Sequence, residues 1–86
     1  MTPPAPVRLR LFAHAREAAG TAQAELAPGG TLGALLADAR DRFGGEFAAV
    51  LATSRVWVNG DEPPNGDHTP LAPGDEVAVL PPVSGG

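Results

Sequence analysis

Cysteine is absent from this 86-residue chain, which excludes disulfides, thiolate metal sites and any cysteine nucleophile. Lysine and tyrosine are absent too, and all six cationic side chains are arginine. A chain without lysine has no side-chain amine to attack an activated carboxyl group. Compositional bias is the simpler source of that gap, since alanine, glycine, proline and arginine abound throughout. No apolar run approaches the roughly 20 residues that a membrane-spanning helix needs. The opening Met1-Thr2-Pro3-Pro4-Ala5-Pro6 has neither the basic start nor the apolar stretch of a secretory signal. The expectation is a cytoplasmic protein with no membrane partner. Positive charge is in deficit: the net charge of −4 disfavours nucleic acid, whose phosphates need a basic face.

What is present describes one small domain. Hydrophobic residues make up 43% of the chain, enough for a core, while eleven glycines and ten prolines imply short elements separated by many turns. Val7, Leu9 and Leu11 alternate with Arg8, Arg10 and Phe12, the period of a strand. Residues 14–19 read as a short helical turn closed by Gly20, and 21–27 as a weaker second strand. Thr31 suits a helix N-cap. After it Leu32, Leu35, Leu36, Ala39 and Phe43 form one apolar stripe at helical spacing, ended by Gly44-Gly45. Residues 46–52 suggest another helical turn with Phe47, Val50 and Leu51 inward. A third strand follows at 55–59, with Gly60-Asp61 as a tight-turn signal. A short edge strand is expected at Glu62-Pro63, and a last strand at 77–80.

This order predicts an α+β domain: a mixed four- to five-stranded sheet with one main helix packed on one face. The first and last strands carry the strongest patterns, and placing them side by side at the centre requires them to be parallel. That is the β-grasp arrangement. The chain divides into a flexible N-terminal segment at 1–6, the β-grasp domain at 7–80, and an extended C-terminal diglycine tail at 81–86.

Residues for catalysis are scarce. His14 and His68 fall in predicted turns without metal-ligand spacing, and Asp61-Glu62 and Asp75-Glu76 are neighbours that point to opposite faces of a strand. Ser54 and Ser84 have no evident base. The last six residues, Pro81-Pro82-Val83-Ser84-Gly85-Gly86, are more informative. Two prolines withhold backbone donors and stop the strand, and side-chain bulk then tapers to nothing. Six extended residues reach about 20 Å, far enough to enter a partner's active site. A second candidate is a patch on the open side of the sheet, where parity directs Phe12, Trp57 and Leu80. The alternative for that patch is cover by loops or by residues 44–54.

Three stretches carry a family resemblance: Leu11-Phe12-Ala13-His14-Ala15-Arg16-Glu17-Ala18-Ala19-Gly20, then Val58-Asn59-Gly60, then residues 74–86 from Gly74-Asp75-Glu76-Val77 to the diglycine. Through them the chain resembles the MoaD-type small subunits of molybdopterin synthase, within the MoaD/ThiS superfamily of ubiquitin-like sulfur carriers. The resemblance implies that the carboxylate of Gly86 is the working group, with Gly85 leaving it open to attack. It implies an E1-like (MoeB-like) adenylyltransferase that uses ATP to adenylate Gly86, and a sulfur-donating sulfurtransferase that converts the adenylate to a thiocarboxylate. A large (MoaE-like) synthase subunit would then receive the tail and pass sulfur to cyclic pyranopterin monophosphate, within a heterotetramer. No cofactor bound to the chain itself is implied.

The chemistry is consistent with the residues present. A free α-carboxyl group titrates at about 3.3–3.7, so it is ionised and unreactive at neutral pH until activated. Without cysteine, sulfur has no side chain to ride on. In the family, Phe12 and Leu80 match docking positions, with Pro81, Pro82, Val83 and Ser84 leading the tail into the partner. The chain departs from the family near Glu62, where a hydrophobic contact is usual. Arg16 matches a recurrent family arginine. The alternatives are a ThiS-like carrier serving thiamine, cysteine or tRNA thiolation, or a β-grasp binding module without covalent chemistry.

Overall fold

The structure is a computed structural model and describes residues 3–82. The elements in chain order are β1 (Val7–Leu11), α1 (Ala13–Ala19), β2 (Gln23–Leu26), α2 (Leu32–Phe43), α3 (Gly45–Leu51), β3 (Arg55–Val58), a 3₁₀ turn (Gly66–His68) and β4 (Glu76–Leu80). The strands form one sheet in the order β2-β1-β4-β3. β1 and β4 are parallel at its centre, with Leu9 opposite Val77 and Leu11 opposite Val79. β2 and β3 flank them antiparallel. This is the β-grasp topology that the two strongest strand patterns imply.

The helices cover one face. Val7, Leu9 and Leu11 from β1 and Val77 and Val79 from β4 are buried there. They meet Leu32, Leu35, Leu36 and Ala39 of α2, Phe47 and Leu51 of α3, and Ala15 of α1 in one core. Each of the valine, leucine and phenylalanine side chains contributes about 1.5–3 kcal/mol by leaving water. Phe43 and Phe47 pack edge to face with centroids 5.2 Å apart, joining the ends of α2 and α3. Among the described residues no helix is long and apolar enough to cross a membrane.

α2 begins and ends as its sequence dictates. Thr31 Oγ1 accepts the Ala34 N–H at 3.2 Å, and the Gly44 N–H closes the last turn on the Arg40 carbonyl at 2.9 Å. Gly44 adopts φ 93°, a conformation glycine takes without strain. Residues 66–71 strap the start of this helix. Leu32 donates to the Thr69 carbonyl at 2.8 Å, and Leu71 donates to the Gly30 carbonyl at 2.9 Å. Thr69 is buried, with its hydroxyl accepting the Asn65 N–H at 3.1 Å.

Two expectations are corrected. The short edge strand at Glu62-Pro63 does not form; the sheet of the described residues has four strands. Pro63 and Pro64 supply no ladder donors, so a strand through them has nothing to pair with. The tight turn lies one residue earlier than the Gly60-Asp61 signal. Asn59 and Gly60 occupy its centre at φ 52° and 83°, and Val58 and Asp61 exchange hydrogen bonds across it at 2.8 and 3.1 Å. Two successive positive φ values are the hallmark of the Asn-Gly hairpin turn, whose twist matches that of the strands.

A Cβ at Gly33 would lie 3.0 Å from Asp67 Cβ and 3.1 Å from the Asp67 carbonyl oxygen. Gly33→Ala therefore forces the strap away from α2 and should cost roughly 1–3 kcal/mol. Urea unfolding checks this, and an unchanged midpoint would mean that the strap yields freely.

Candidate functional site

The face of the sheet opposite the helices is built by strand alternation. With Val77 and Val79 buried, β4 turns Glu76, Ala78 and Leu80 to the open side. β1 does the same with Arg8 and Arg10, while β3 directs Val56 and Val58 toward the core and Arg55 and Trp57 away from it. The register sets their neighbours. Ala78 lies between Arg10 and Trp57, and Leu80 faces Arg55. Because Leu11 pairs with Val79, the next residue, Phe12, flanks Leu80, and its N–H reaches the Val79 carbonyl at 3.3 Å.

Phe12, Leu80, Ala78 and Trp57 are thus contiguous by register. Phe12 is exposed, while Trp57 and Leu80 are half-buried. Segment 44–54 does not cover them, because α3 drives Phe47 and Leu51 into the core on the opposite side. The patch lies at the end of the sheet where β4 stops. Past Leu80 come Pro81, half-buried, and Pro82, exposed, both without regular structure. Val83, Ser84, Gly85 and Gly86 lie outside the described residues.

Charge frames the patch. The Arg10 guanidinium sits 5.3 Å from the Phe12 ring centroid, a cation–π contact that shields part of the ring. Arg8 and Arg10 share Glu76, each at 3.7 Å, and Arg55 meets Glu62 at 3.8 Å. They lie at the surface and are individually worth little, so strand register rather than ion pairing sets which side chains line the patch. Glu62 is therefore a rim residue paired to Arg55 of β3. The role of Arg10 was open to sequence reasoning, since it alternates onto the same side as Phe12.

Two features carry no signal in any single stretch of sequence. Ala13 adopts φ 49°, a left-handed conformation that costs a residue with a Cβ about 1–2 kcal/mol. It turns the chain sharply from β1 into α1, with the Phe12 carbonyl accepting the Ala15 N–H at 3.0 Å. At the other end of the sheet, Asn59 clamps the start of β4. Its backbone N–H donates to the Glu76 carbonyl at 2.8 Å, its Oδ1 accepts the Glu76 N–H at 2.9 Å, and its Nδ2 donates to Asp75 Oδ1 at 3.1 Å. Asp75 Oδ2 accepts the Ala72 N–H at 2.7 Å as well. The Val-Asn-Gly and Gly-Asp-Glu fragments of the sequence are thus two halves of one joint. Among the described residues no group of three or more His, Asp or Glu side chains is placed to hold a metal ion.

The profile of the ThiS family matches residues 9–86. No curated protein matches the chain. Solved structures do. SAMP1 from Haloferax volcanii is 27% identical over 93% of this chain and 98% of its own, with a TM-score of 0.80. Small archaeal modifier protein 1 from Methanosarcina acetivorans is 29% identical over 99% and 100%, with a TM-score of 0.76. A Pyrococcus furiosus protein provisionally named molybdopterin converting factor, subunit 1, is 27% identical over 92% and 99%, with a TM-score of 0.74.

The clamp predicts that Asp75→Ala, which removes acceptors for two hydrogen bonds, lowers the unfolding free energy by about 1–3 kcal/mol. Amide exchange should quicken first at Glu76 and Ala72. Unaltered exchange there would mean that the clamp does not hold β4.

Proposed function

The chain belongs to the ThiS family of ubiquitin-like sulfur carriers, and from that premise we propose that it is the sulfur-carrying small subunit of a molybdopterin synthase. The observation that carries the reading is a family match that continues past the end of β4 at Leu80 through Pro81-Pro82-Val83-Ser84-Gly85-Gly86. In this reading the Gly86 carboxylate attacks the α-phosphorus of ATP on an E1-like adenylyltransferase, releasing pyrophosphate. A sulfurtransferase then delivers sulfur at the sulfide level to the carbonyl carbon, the C–O bond to AMP breaks, AMP departs with its electron pair, and the product is a thiocarboxylate. Gly85 and Gly86 have no β-carbon to hinder either step. Pro81, Pro82, Val83 and Ser84 form the slender lead that a large subunit receives. Phe12, Leu80 and Trp57 supply the apolar ground on which that subunit rests, in a cytoplasmic heterotetramer. The likeness to the Pyrococcus furiosus protein supports this choice of recipient.

A second reading has its own support in the likeness to two small archaeal modifier proteins. There the activated Gly86 carbonyl joins an amine of another protein, forming an amide and releasing AMP. The two readings share the activation step and differ in the nucleophile.

Intact-mass measurement after incubation with the activating enzyme, ATP and a sulfur source tests the shared step. Replacement of oxygen by sulfur adds about 16 Da, and deletion of Gly86 should abolish the gain while the fold survives. Loading that persists in the deletion variant refutes the mechanism. Leu80→Arg places a charge in the patch and should weaken binding of the large subunit at least ~10-fold. Wild-type affinity in a calorimetric titration would move the docking face elsewhere.

A further inference from the structure

An activated acyl group is captured by amines and thiolates, and more slowly by hydroxyls, phenols and imidazoles. The 86 residues contain no lysine, cysteine or tyrosine. The cations are arginines, whose guanidinium groups stay protonated and have no free lone pair to attack with. The folded surface extends this poverty to the hydroxyls. Thr21 Oγ1 donates to the Gln23 carbonyl at 2.9 Å, while Thr53 Oγ1 and Ser54 Oγ both donate to the Val50 carbonyl, at 3.3 and 2.7 Å. Thr31 Oγ1 accepts the Ala34 N–H, and Thr69 Oγ1, in a buried residue, accepts the Asn65 N–H. Every serine and threonine hydroxyl among the described residues is therefore bound to backbone; Thr2 and Ser84 lie outside them, and the inference for those two rests on the slowness of hydroxyls alone. His14 and His68 remain exposed, but an acyl-imidazole hydrolyses and leaves no lasting bond.

We infer that the chain is an acyl donor with no lasting side-chain acceptor of its own: its activated Gly86 carbonyl is discharged only onto nucleophiles of other kinds of molecule, and copies never link through side chains. The inference rests on the carrier reading for its activated carboxyl end, but holds for either recipient. Its cause lies in residue types and hydrogen bonds, whatever the compositional origin of the missing lysines. In the discharge, the acceptor amine's lone pair forms a C–N bond to the Gly86 carbonyl carbon. The bond to the leaving group breaks, its electron pair departs with AMP or a thiolate, and the amine proton passes to solvent. The acceptor class is a primary amine, or a sulfur nucleophile, supplied by a partner. In an 86-residue chain prepared with a free N-terminus, the α-amino group of Met1 is the one amine.

The test uses the full chain carrying a C-terminal thioester to a small thiol, prepared chemically so that it needs no activating enzyme. Failure of the carrier reading, which shows as absent enzymatic loading, is thereby separated from failure of this inference. Incubated alone, the wild-type thioester should hydrolyse, and fragmentation of any dimer or ring should map its bond to the Met1 nitrogen. With added methylamine it should form the amide, which establishes that the donor end is competent. Arg8→Lys and Arg40→Lys, both at exposed positions, should yield roughly tenfold more side-chain-linked dimer than wild type, mapped to the substituted position. The inference is overturned by wild-type adducts on a serine, threonine or histidine. It is overturned equally if both lysine variants stay free of adducts while methylamine is acylated.

Discussion

The parallel pairing of β1 with β4 is the constraint from which the rest of the molecule follows. Both strands bury one face completely, through Val7, Leu9 and Leu11 and through Val77 and Val79. Two parallel neighbours cannot be joined by a hairpin, so the intervening chain must cross over, and its helices are what cover the buried face. Parallel direction also sets where the chain leaves the sheet. Leu80 ends β4 beside Phe12, at the end of β1. Had the pairing been antiparallel, Leu80 would sit near Val7, about 16 Å away for a five-residue strand. The apolar patch and the segment that begins at Pro81 share one end of the molecule for this reason.

The opposite end is held by polar contacts. Asn59 in a left-handed conformation and Asp75 after Gly74 join two turns that are far apart in sequence, and they fix the first residue of β4. A hydrophobic clamp there would be poorly protected, because both turns are exposed. Short side chains that satisfy exposed backbone donors and acceptors set the register without needing a core. The domain thus has an apolar patch at the end where β4 stops and a hydrogen-bonded joint at the end where it starts.

Much of this was legible in the sequence, for identifiable reasons. α2 announced itself because its apolar spacing, its Thr31 cap and its Gly44 stop all agree, and each reports a local free energy. β1 was equally plain, since one face is buried and the other carries two arginines. The strand expected at Glu62-Pro63 fails because Pro63 and Pro64 offer no backbone donors to a neighbouring strand. Asn59 continues the strand pattern of 55–58, but an Asn-Gly pair takes two positive φ values more readily than Gly-Asp, and the turn falls one residue earlier. Ala13 could not be foreseen: its positive φ belongs to the sharp turn from β1 into α1, which packs against α3.

The amino-acid sequence alone determined the period of each element and the positions of most turns, because these depend on neighbours within a few residues, and its composition fixes the want of thiol and lysine groups. Through the residues quoted from it, it also pointed to the family. Only the tertiary structure decided that Phe12, Leu80, Ala78 and Trp57 adjoin, and that Asn59 clamps the start of β4. Those facts depend on strand order and register, which are fixed when distant segments compete to bury the same apolar surface. No single stretch of the chain contains that competition.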